Sequence, residues 1–455
     1  MYPWLSRHLF YYPVVALRGE PVSKCRRRIR EFERLTPDAM RAWQRARLQE
    51  LVRDAATQSA YYRELFRSHG IDPTQGLAIA EFERIPFLTK EIIQADSARL
   101  IAATPGRVSV RKTSGSTGTP LVLVKDRRAE AMMDAYMYEV YGWFGIAVGT
   151  RQARIWGIPL ARKARMIART KDRLLNRRRM VAFEINRDYS RTFYHELLRF
   201  RPYYLYGLIN PIHEFCRELV EAGLDPGAIG LQLVITTGER QVAAKKAYIS
   251  EHFGCRVVDE YGCTESGIIA FECAEGSRHI AAHNLYVEII DPATGEVVRG
   301  GASGEVVITE LHARAMPMIR YRVGDLARIS TEPCRCGRAT PVIADIVGRV
   351  SELIITPEGK RVAAAVLDYS VPTQFSRFRA IQHAVDRMTL LLEGGGELPE
   401  RAVAEIRAKL VHYLGDRMQL EIKVVERIPL DTSGKLRCFV SELQGGVYNE
   451  TSRGH

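Results

Sequence analysis

The sequence predicts an α/β chain of two domains, a large N-terminal one with mixed α/β layers and an antiparallel section, then a small α+β one. Three observations carry this. At 455 residues the chain is too long for one small core, so a large domain plus a smaller one is expected. Short β-branched runs alternate with helical stretches through its middle. Its character then changes twice, near Leu285 and again near Gly348.

The first hundred residues form a helical preamble. TPDAMRAWQRARLQELVRDAA opens on Thr36 as a cap with Pro37 in the first turn, and the pattern stays helical to Gly70. Further on, LQLVITTGE, RQVAAKKAYISEHFG and CRVVDEYG read strand, helix, strand. That spacing is a βαβ unit, which puts Gly238 and Tyr261 at strand ends. From Leu285 to Ile329 the runs VEIIDPATGEVV, GEVVITEL and DLARIS are strands joined by Gly-rich turns, hence antiparallel. A boundary is expected at Gly348 to Ser351, dividing 1–348 from 349–455. Beyond it SELIITPEGKRVAAAVLD, MTLLLEGG, AEIRAKLVHYL and LEIKVVERI make a compact α+β unit of ordinary domain size.

Composition excludes several classes. The apolar fraction of 46% is ordinary, and no apolar run approaches the roughly 18 residues of a membrane span. The N-terminal LFYYPVVAL is about half that length and contains Pro13, and its basic neighbour KCRRRIR follows it, the wrong order for a signal peptide. Eight cysteines in so long a chain are no disulfide framework, which points to a reducing cytoplasm. The net charge of +13 is concentrated in Lys24 to Arg30 and in ARKARMIARTKDRLLNRRRM, Ala161 to Met180. The second stretch lacks the aromatic interleaving of a single-strand binding surface, so no nucleic acid is expected. A solvated helix face is the plain reading; coenzyme phosphates or, at most, a peripheral membrane contact are the others.

Four stretches carry candidate chemistry. RKTSGSTGTPLVL places five hydroxyls and two glycines between Thr113 and Thr119. It is either a surface turn or a phosphate cradle of backbone N–H groups, and no lysine follows Gly118 as an NTPase P-loop would need. VVDEYGCTESG ends a strand and presents Tyr261, Thr264 and Glu265, suited to a base, a phosphate oxygen and Mg²⁺, or else an N-capped helix start. In AMPMIRYRVGDLARI, Asp325 ends a turn between strands and offers a carboxylate to a ribose. RIPLDTSGKLRCF carries Lys435 in a turn-like loop.

Together, in order and in wording, these segments resemble the adenylate-forming superfamily of acyl-CoA synthetases, peptide-synthetase adenylation domains and luciferases. The resemblance runs from about Arg111 to Arg437. FEC…RHI, VEIIDPATG, AMPMIRYRVGD and CRCGRATP, with the preamble ending YYRELFRSHGID, are closest to the phenylacetate–CoA ligase and CapK-like branch. The resemblance implies that Thr113, Ser114, Gly115, Ser116, Thr117, Gly118 and Thr119 wrap the ATP phosphates. Gly238, Glu239, Glu260 and Tyr261 would flank adenine, Asp325 would hold the ribose, and Arg349 would complete the ATP site. Thr264 would bond the α-phosphate, Glu265 would carry Mg²⁺, and Lys435 would be the catalytic lysine of a mobile small domain hinged at Ser351. The acid pocket is expected near Trp156, Tyr206, Gly238, Cys263, Gly267 and Ile268. Two residues depart from the pattern: Thr119 replaces a frequent lysine, and Ser351 a hinge Asp or Lys.

The implied reaction activates a small carboxylic acid, aryl or apolar, as an acyl-adenylate with loss of pyrophosphate, then passes it to CoA. The same adenylation with transfer to an amine, hydroxyl or carrier-protein thiol is the alternative. A nucleotide-binding protein that has lost catalysis is the third reading, opposed by intact Thr264, Glu265 and Lys435. No motif sets the oligomeric state. Separately, Cys273, His279, Cys334 and Cys336 offer three thiolates and an imidazole, the ligand set of a closed structural Zn²⁺ site, with His283 in reserve. The competing reading is a core cysteine and a chance C-x-C loop.

Overall fold

The computed structural model describes residues 2–74, 76–112, 121–158, 161–182, 185–364, 366–372, 375, 377–394, 398–429 and 436–443. Contacts divide the chain into two compact units, Met1–Val323 with Ala327–Asp345, and Gly324–Leu326 with Ile346–His455.

In the first unit, Thr36 accepts the Ala39 N–H at 3.3 Å and so starts helix Pro37–Gln58 as its sequence predicts. Strands β1 (Val108–Lys112) and β2 (Val122–Asp126) pair antiparallel, bringing Lys112 opposite Val122. Next come β3 (Gln152–Trp156), β4 (Arg177–Val181), β5 (Tyr204–Gly207), β6 (Leu233–Thr237) and β7 (Arg256–Cys263). They are followed by β8 (Gly267–Glu272), β9 (Arg278–Ile280), β10 (Leu285–Ile290), β11 (Gly304–Glu310), β12 (Tyr321–Ile329) and β13 (Val342–Arg349). Among the described residues β3 to β13 form one eleven-stranded sheet in the order β10-β11-β12-β13-β9-β8-β7-β6-β5-β3-β4. Its β4-β3-β5-β6-β7 half is parallel. The change to antiparallel begins at the β7–β8 hairpin, and β10 and β11 pair as expected.

The parallel half sorts its side chains by the two-residue period of a strand. One face buries Ala153, Ile155, Met180, Leu205, Val234 and Val257 against Phe193, Leu197, Phe215 and Leu219 of the covering helices. Each such aliphatic or aromatic side chain contributes roughly 1.5–3 kcal/mol. The opposite face holds Arg154, Trp156, Tyr206, Thr237 and Glu260. That polar face needs a reason other than packing.

The preamble braces the AMPMIRYR segment. The Tyr62 hydroxyl donates to Pro317 O at 3.1 Å and accepts from Ile319 N at 3.2 Å. Leu88 exchanges backbone hydrogen bonds with Arg320 and Arg322, both 3.0 Å. Asp126 caps the helix after β2 and also accepts from Arg314 N at 2.8 Å, tying the β1–β2 stem to the same segment. One local expectation fails: Asp325 does not end a turn but lies in the middle of β12. Gly324 takes the positive φ of 84° that reads as a turn, and the strand absorbs it without breaking.

The second unit pairs β14 (Leu353–Ile355) with β15 (Arg361–Ala363). It also holds β16 (Phe378–Ala384), β17 (Arg387–Glu393), β18 (Gln419–Val425) and β19 (Phe439–Ser441), ordered β18-β17-β16-β19. Helix Glu400–Leu414 closes its core with Ile406 and Leu410 against Met388, Leu390 and Leu392.

Candidate active site

In an open parallel sheet, ligands bind beyond the carboxyl ends of the strands. Here those ends carry Trp156 on β3, Tyr206 on β5, Gly238 just past β6, and Glu260 to Cys263 on β7. Trp156 and Tyr206 face each other at 5.6 Å between ring centroids. The Arg154 guanidinium lies over both rings, 5.3 Å from Trp156 and 5.0 Å from Tyr206. Its Nε is buried without a hydrogen-bond partner, and among the described residues it has no ion pair. Burial first, then the neighbouring Arg177, disfavours its charge. A cation held unpaired on two aromatic faces is a place for an acceptor to arrive.

Glu260 is the closed end of this polar face. It is buried, and Tyr141 and Tyr206 donate their hydroxyls to it at 2.6 and 3.0 Å. Burial raises its carboxyl above the usual range, and those hydroxyls with Thr237 pull it partly back. Glu239 accepts the Asn210 N–H at 3.0 Å, so it holds the start of helix Ile209–Glu221. Gly238 is exposed with φ 72°.

Thr264, Glu265 and Ser266 are the loop of the β7–β8 hairpin, which settles a hairpin turn over a helix start. The hairpin is possible because two of its residues lack a Cβ. A Cβ on Gly262 would sit 2.4 Å from Gly267 O, and Gly267 itself takes φ 77°. Cys263 lies 3.2 Å from the Ser266 hydroxyl, and Ile268 pairs with Gly262 across the hairpin. Thr264 is exposed, Tyr261 is 9% exposed, and Glu265 is 6% exposed. Glu265 accepts one hydroxyl, from Tyr321 at 3.1 Å. Burial and that carboxylate together push the Tyr321 hydroxyl well above its usual range, so it stays a neutral donor. The remaining lone pairs of Glu265 suit a hard cation.

In the second unit the Arg349 guanidinium meets the Asp325 carboxylate at 3.4 Å. Thr113 to Thr119 and Lys435 lie outside the described residues, as does the side chain of Ser351. For the phosphate loop only the paired β1 and β2 stems are in view.

The four cysteine and histidine ligands converge. Their ligand atoms all lie within 4.8 Å of one another, Cys273 and His279 buried, Cys334 and Cys336 half-buried. The Cys273 and Cys334 sulfurs are 3.7 Å apart, and Cys336 Sγ is 3.1 Å from His279 Nε2. Two thiolates on a tetrahedral Zn²⁺ with bonds of about 2.3 Å would stand about 3.8 Å apart, so the set fits the ion. Thr340 engages His279 Nδ1 at 3.0 Å and turns Nε2 inward. Burial lowers His279 to about 4, leaving a neutral imidazole at pH 7, and raises Cys273 to about 11. His283 is no reserve ligand: its ring packs on Tyr136 at 4.6 Å and on Phe32 at 6.2 Å, outside the cluster.

Tyr141, Arg154 and Tyr321 are not singled out by the sequence. Tyr321 stands within AMPMIRYRVGD, and Arg154 lies two residues before Trp156 on one strand face.

Residues 354–442 match the family model of the CapK C-terminal domain. Phenylacetate-coenzyme A ligase of Aromatoleum evansii is 27% identical over 351 residues, 71% of this chain and 73% of that protein. Protein CapK of Staphylococcus aureus is 19% identical over 409 residues, 88% and 89% of the two chains. The fold matches that of 2-hydroxyisobutyryl-CoA ligase in its postadenylation state with an acyl-AMP (TM-score 0.72, 20% identity, 88% of this chain and 89% of that one). In sequence the chain is a homologue of the phenylacetate–CoA ligases and CapK, and its fold is that of the adenylate-forming CoA ligases.

Proposed function

We propose that the protein activates a carboxylic acid with ATP as an acyl-adenylate, releases pyrophosphate, and passes the acyl group to CoA. The observation that carries this is Glu265, a buried carboxylate with one hydroxyl partner among the described residues, in the loop at the end of β7, on the same carboxyl edge of the sheet as the ring pair on β3 and β5. Of the relatives named above the Aromatoleum evansii protein is a CoA ligase, and the solved neighbour is a CoA ligase captured in its postadenylation state with R3-HIB-AMP.

In this reading the difficulty is an anion attacking a polyanion. Glu265 would hold Mg²⁺, which neutralises charge on the phosphates. Thr264 would bond the α-phosphate, and Thr113 to Thr119 would enclose the β- and γ-phosphates. Lys435 would bring its ammonium to the oxygens where charge develops, which is where electrostatic stabilisation counts most. Gly238, Glu239, Glu260 and Tyr261 would form the adenine side, and Asp325 with Arg349 the ribose side. The domains would be 1–348 and 349–455, hinged at Ser351, with a swing that withdraws Lys435 for the second step. The acid would lie on Trp156 and Tyr206, bounded by Cys263, Gly267 and Ile268. Arg154 suits an aryl or apolar acid that carries a hydrogen-bond acceptor on its ring or chain.

The Cys273, His279, Cys334 and Cys336 cluster would hold one structural Zn²⁺ and take no part in the chemistry. Its thiolates suit a cytoplasmic setting. A second acceptor, an amine, hydroxyl or carrier-protein thiol, is favoured by one observation: the small domain matches the CapK model, and CapK aligns over more of the chain than the ligases do.

Lys435→Ala tests the assignment. Adenylation should fall by several orders of magnitude while thioester formation from supplied acyl-adenylate is largely kept. Equal loss of both would remove the role from Lys435.

A further inference from the structure

The chain opens on a helical run, Pro3–Leu5, Ser6–Tyr11 and Tyr12–Leu17, that is anchored along one side only. Ser6 Oγ donates to Leu174 O at 2.7 Å, Arg7 Nε to Val148 O at 3.2 Å, and Tyr11 to Asp134 at 3.2 Å. A Cβ on Gly149 would come within 2.5 Å of Pro3 O, so the run is seated closely on the loop before β3. Its other side is apolar and open to solvent: Trp4 is 61% exposed, Leu9 55% and Leu17 82%, with Tyr2 and Val14 beside them. Five large exposed apolar side chains within sixteen residues exceed the scattered kind that needs no explanation.

The ground next to this run is strongly basic. Helix Arg162–Leu174, whose last carbonyl receives Ser6, exposes Met166 and Ile167 among arginines and lysines. Residues 161–180 hold nine Lys and Arg against one acid, Asp172, and its carboxylate is taken by Arg179 at 2.7 and 3.0 Å. Beside them Arg151, Arg173, Arg178 and Arg199 line a hollow of about 340 Å³ with Asn176 and Phe200. No acidic residue occurs from 2 to 19.

We propose that this face docks on an anionic lipid bilayer. Aromatic and aliphatic side chains would enter the headgroup boundary, and the basic helix and arginine hollow would meet lipid phosphates. Charge complementarity selects the occupant, since the apolar ridge is bordered by cations, and the acids set among them, Asp172 and Glu196, are paired with Arg179 and Arg178. The contact is peripheral, because no described helix is long and apolar enough to cross a membrane. The face lies at the amino ends of β3 and β4, whereas the candidate site lies at the carboxyl ends of the parallel strands, so docking leaves the site open.

Vesicle sedimentation of the full chain tests this, with phosphatidylcholine vesicles lacking or containing phosphatidylglycerol, at low and high salt. Binding should require the anionic lipid and weaken with salt. Trp4→Ser with Leu9→Ser and Leu17→Ser should weaken it at least tenfold. Arg173→Glu with Arg199→Glu should do so as well, since each lost surface charge is worth about fivefold. All five residues are exposed, and an unchanged melting temperature identifies a folded variant. No preference for anionic vesicles, or binding that neither variant alters, would overturn the proposal. So would self-association abolished by the apolar variant without vesicle binding, which would make the face a contact between copies.

Discussion

Glu260 and Glu265 stand five positions apart on one hairpin, both nearly inaccessible, yet their surroundings differ in kind. Glu260 lies within β7 and receives two tyrosine hydroxyls, so both its oxygens are engaged from inside the protein. Glu265 lies in the loop beyond the strand and among the described residues receives one. A buried carboxylate with two fixed donors is a structural element whose removal unbalances its partners. One with lone pairs left over beyond a strand end can accept a hard cation, the role proposed for Glu265. The difference teaches that burial alone does not mark a site; the tally of partners does.

The sharpest way to break this comparison is Glu265→Gln. The amide still accepts from Tyr321 but loses the charge a metal needs, so acid-dependent pyrophosphate release should fall about 10²–10³-fold with little change in melting temperature. Retained activity would put Glu265 on the structural side with Glu260. At the cysteine cluster, Cys334→Ser should cost the purified protein about one equivalent of zinc by metal analysis and lower its stability by several kcal/mol. Stable wild-type protein without metal would contradict that site. Glu260→Gln should show most clearly in stability, a loss of about 1–3 kcal/mol in urea unfolding, because Tyr141 and Tyr206 donate to different oxygens of Glu260 and one of these becomes an amide NH2.

The smallest effect expected is in pH dependence. Burial first, then Lys245 and Arg217, lowers His213 to about 4. The unfolded chain takes up the proton near 6.5, so His213 contributes its full stability above that value and loses it as pH falls toward about 4. Replacing His213 by Gln should therefore flatten the stability difference between pH 7 and 5.5 by about 1 kcal/mol. An unchanged slope would show the ring to be solvated.

Much of this was legible in the chain. The β6–helix–β7 unit follows from its hydrophobic period, and Thr36 caps as its residue type dictates. The C-x-C spacing met its two distant ligands because the β8–β9 hairpin and the turn before β13 meet at one sheet position, Val342 opposite His279. Less legible was the company each residue keeps. Tyr141 and Tyr321 reach Glu260 and Glu265 across 119 and 56 positions, and no local pattern announces such pairs. Asp325 misled because Gly-Asp is turn chemistry, and only the pairing of the whole sheet overrides it.

Acid activation is tested most directly by pyrophosphate release over a panel of aryl and aliphatic acids, with and without a ring or chain acceptor, each run with ATP and with or without CoA. Release should depend on the acid, and CoA should drive it to turnover with formation of the thioester. Absence of acid-dependent release from folded, metal-replete protein would contradict it.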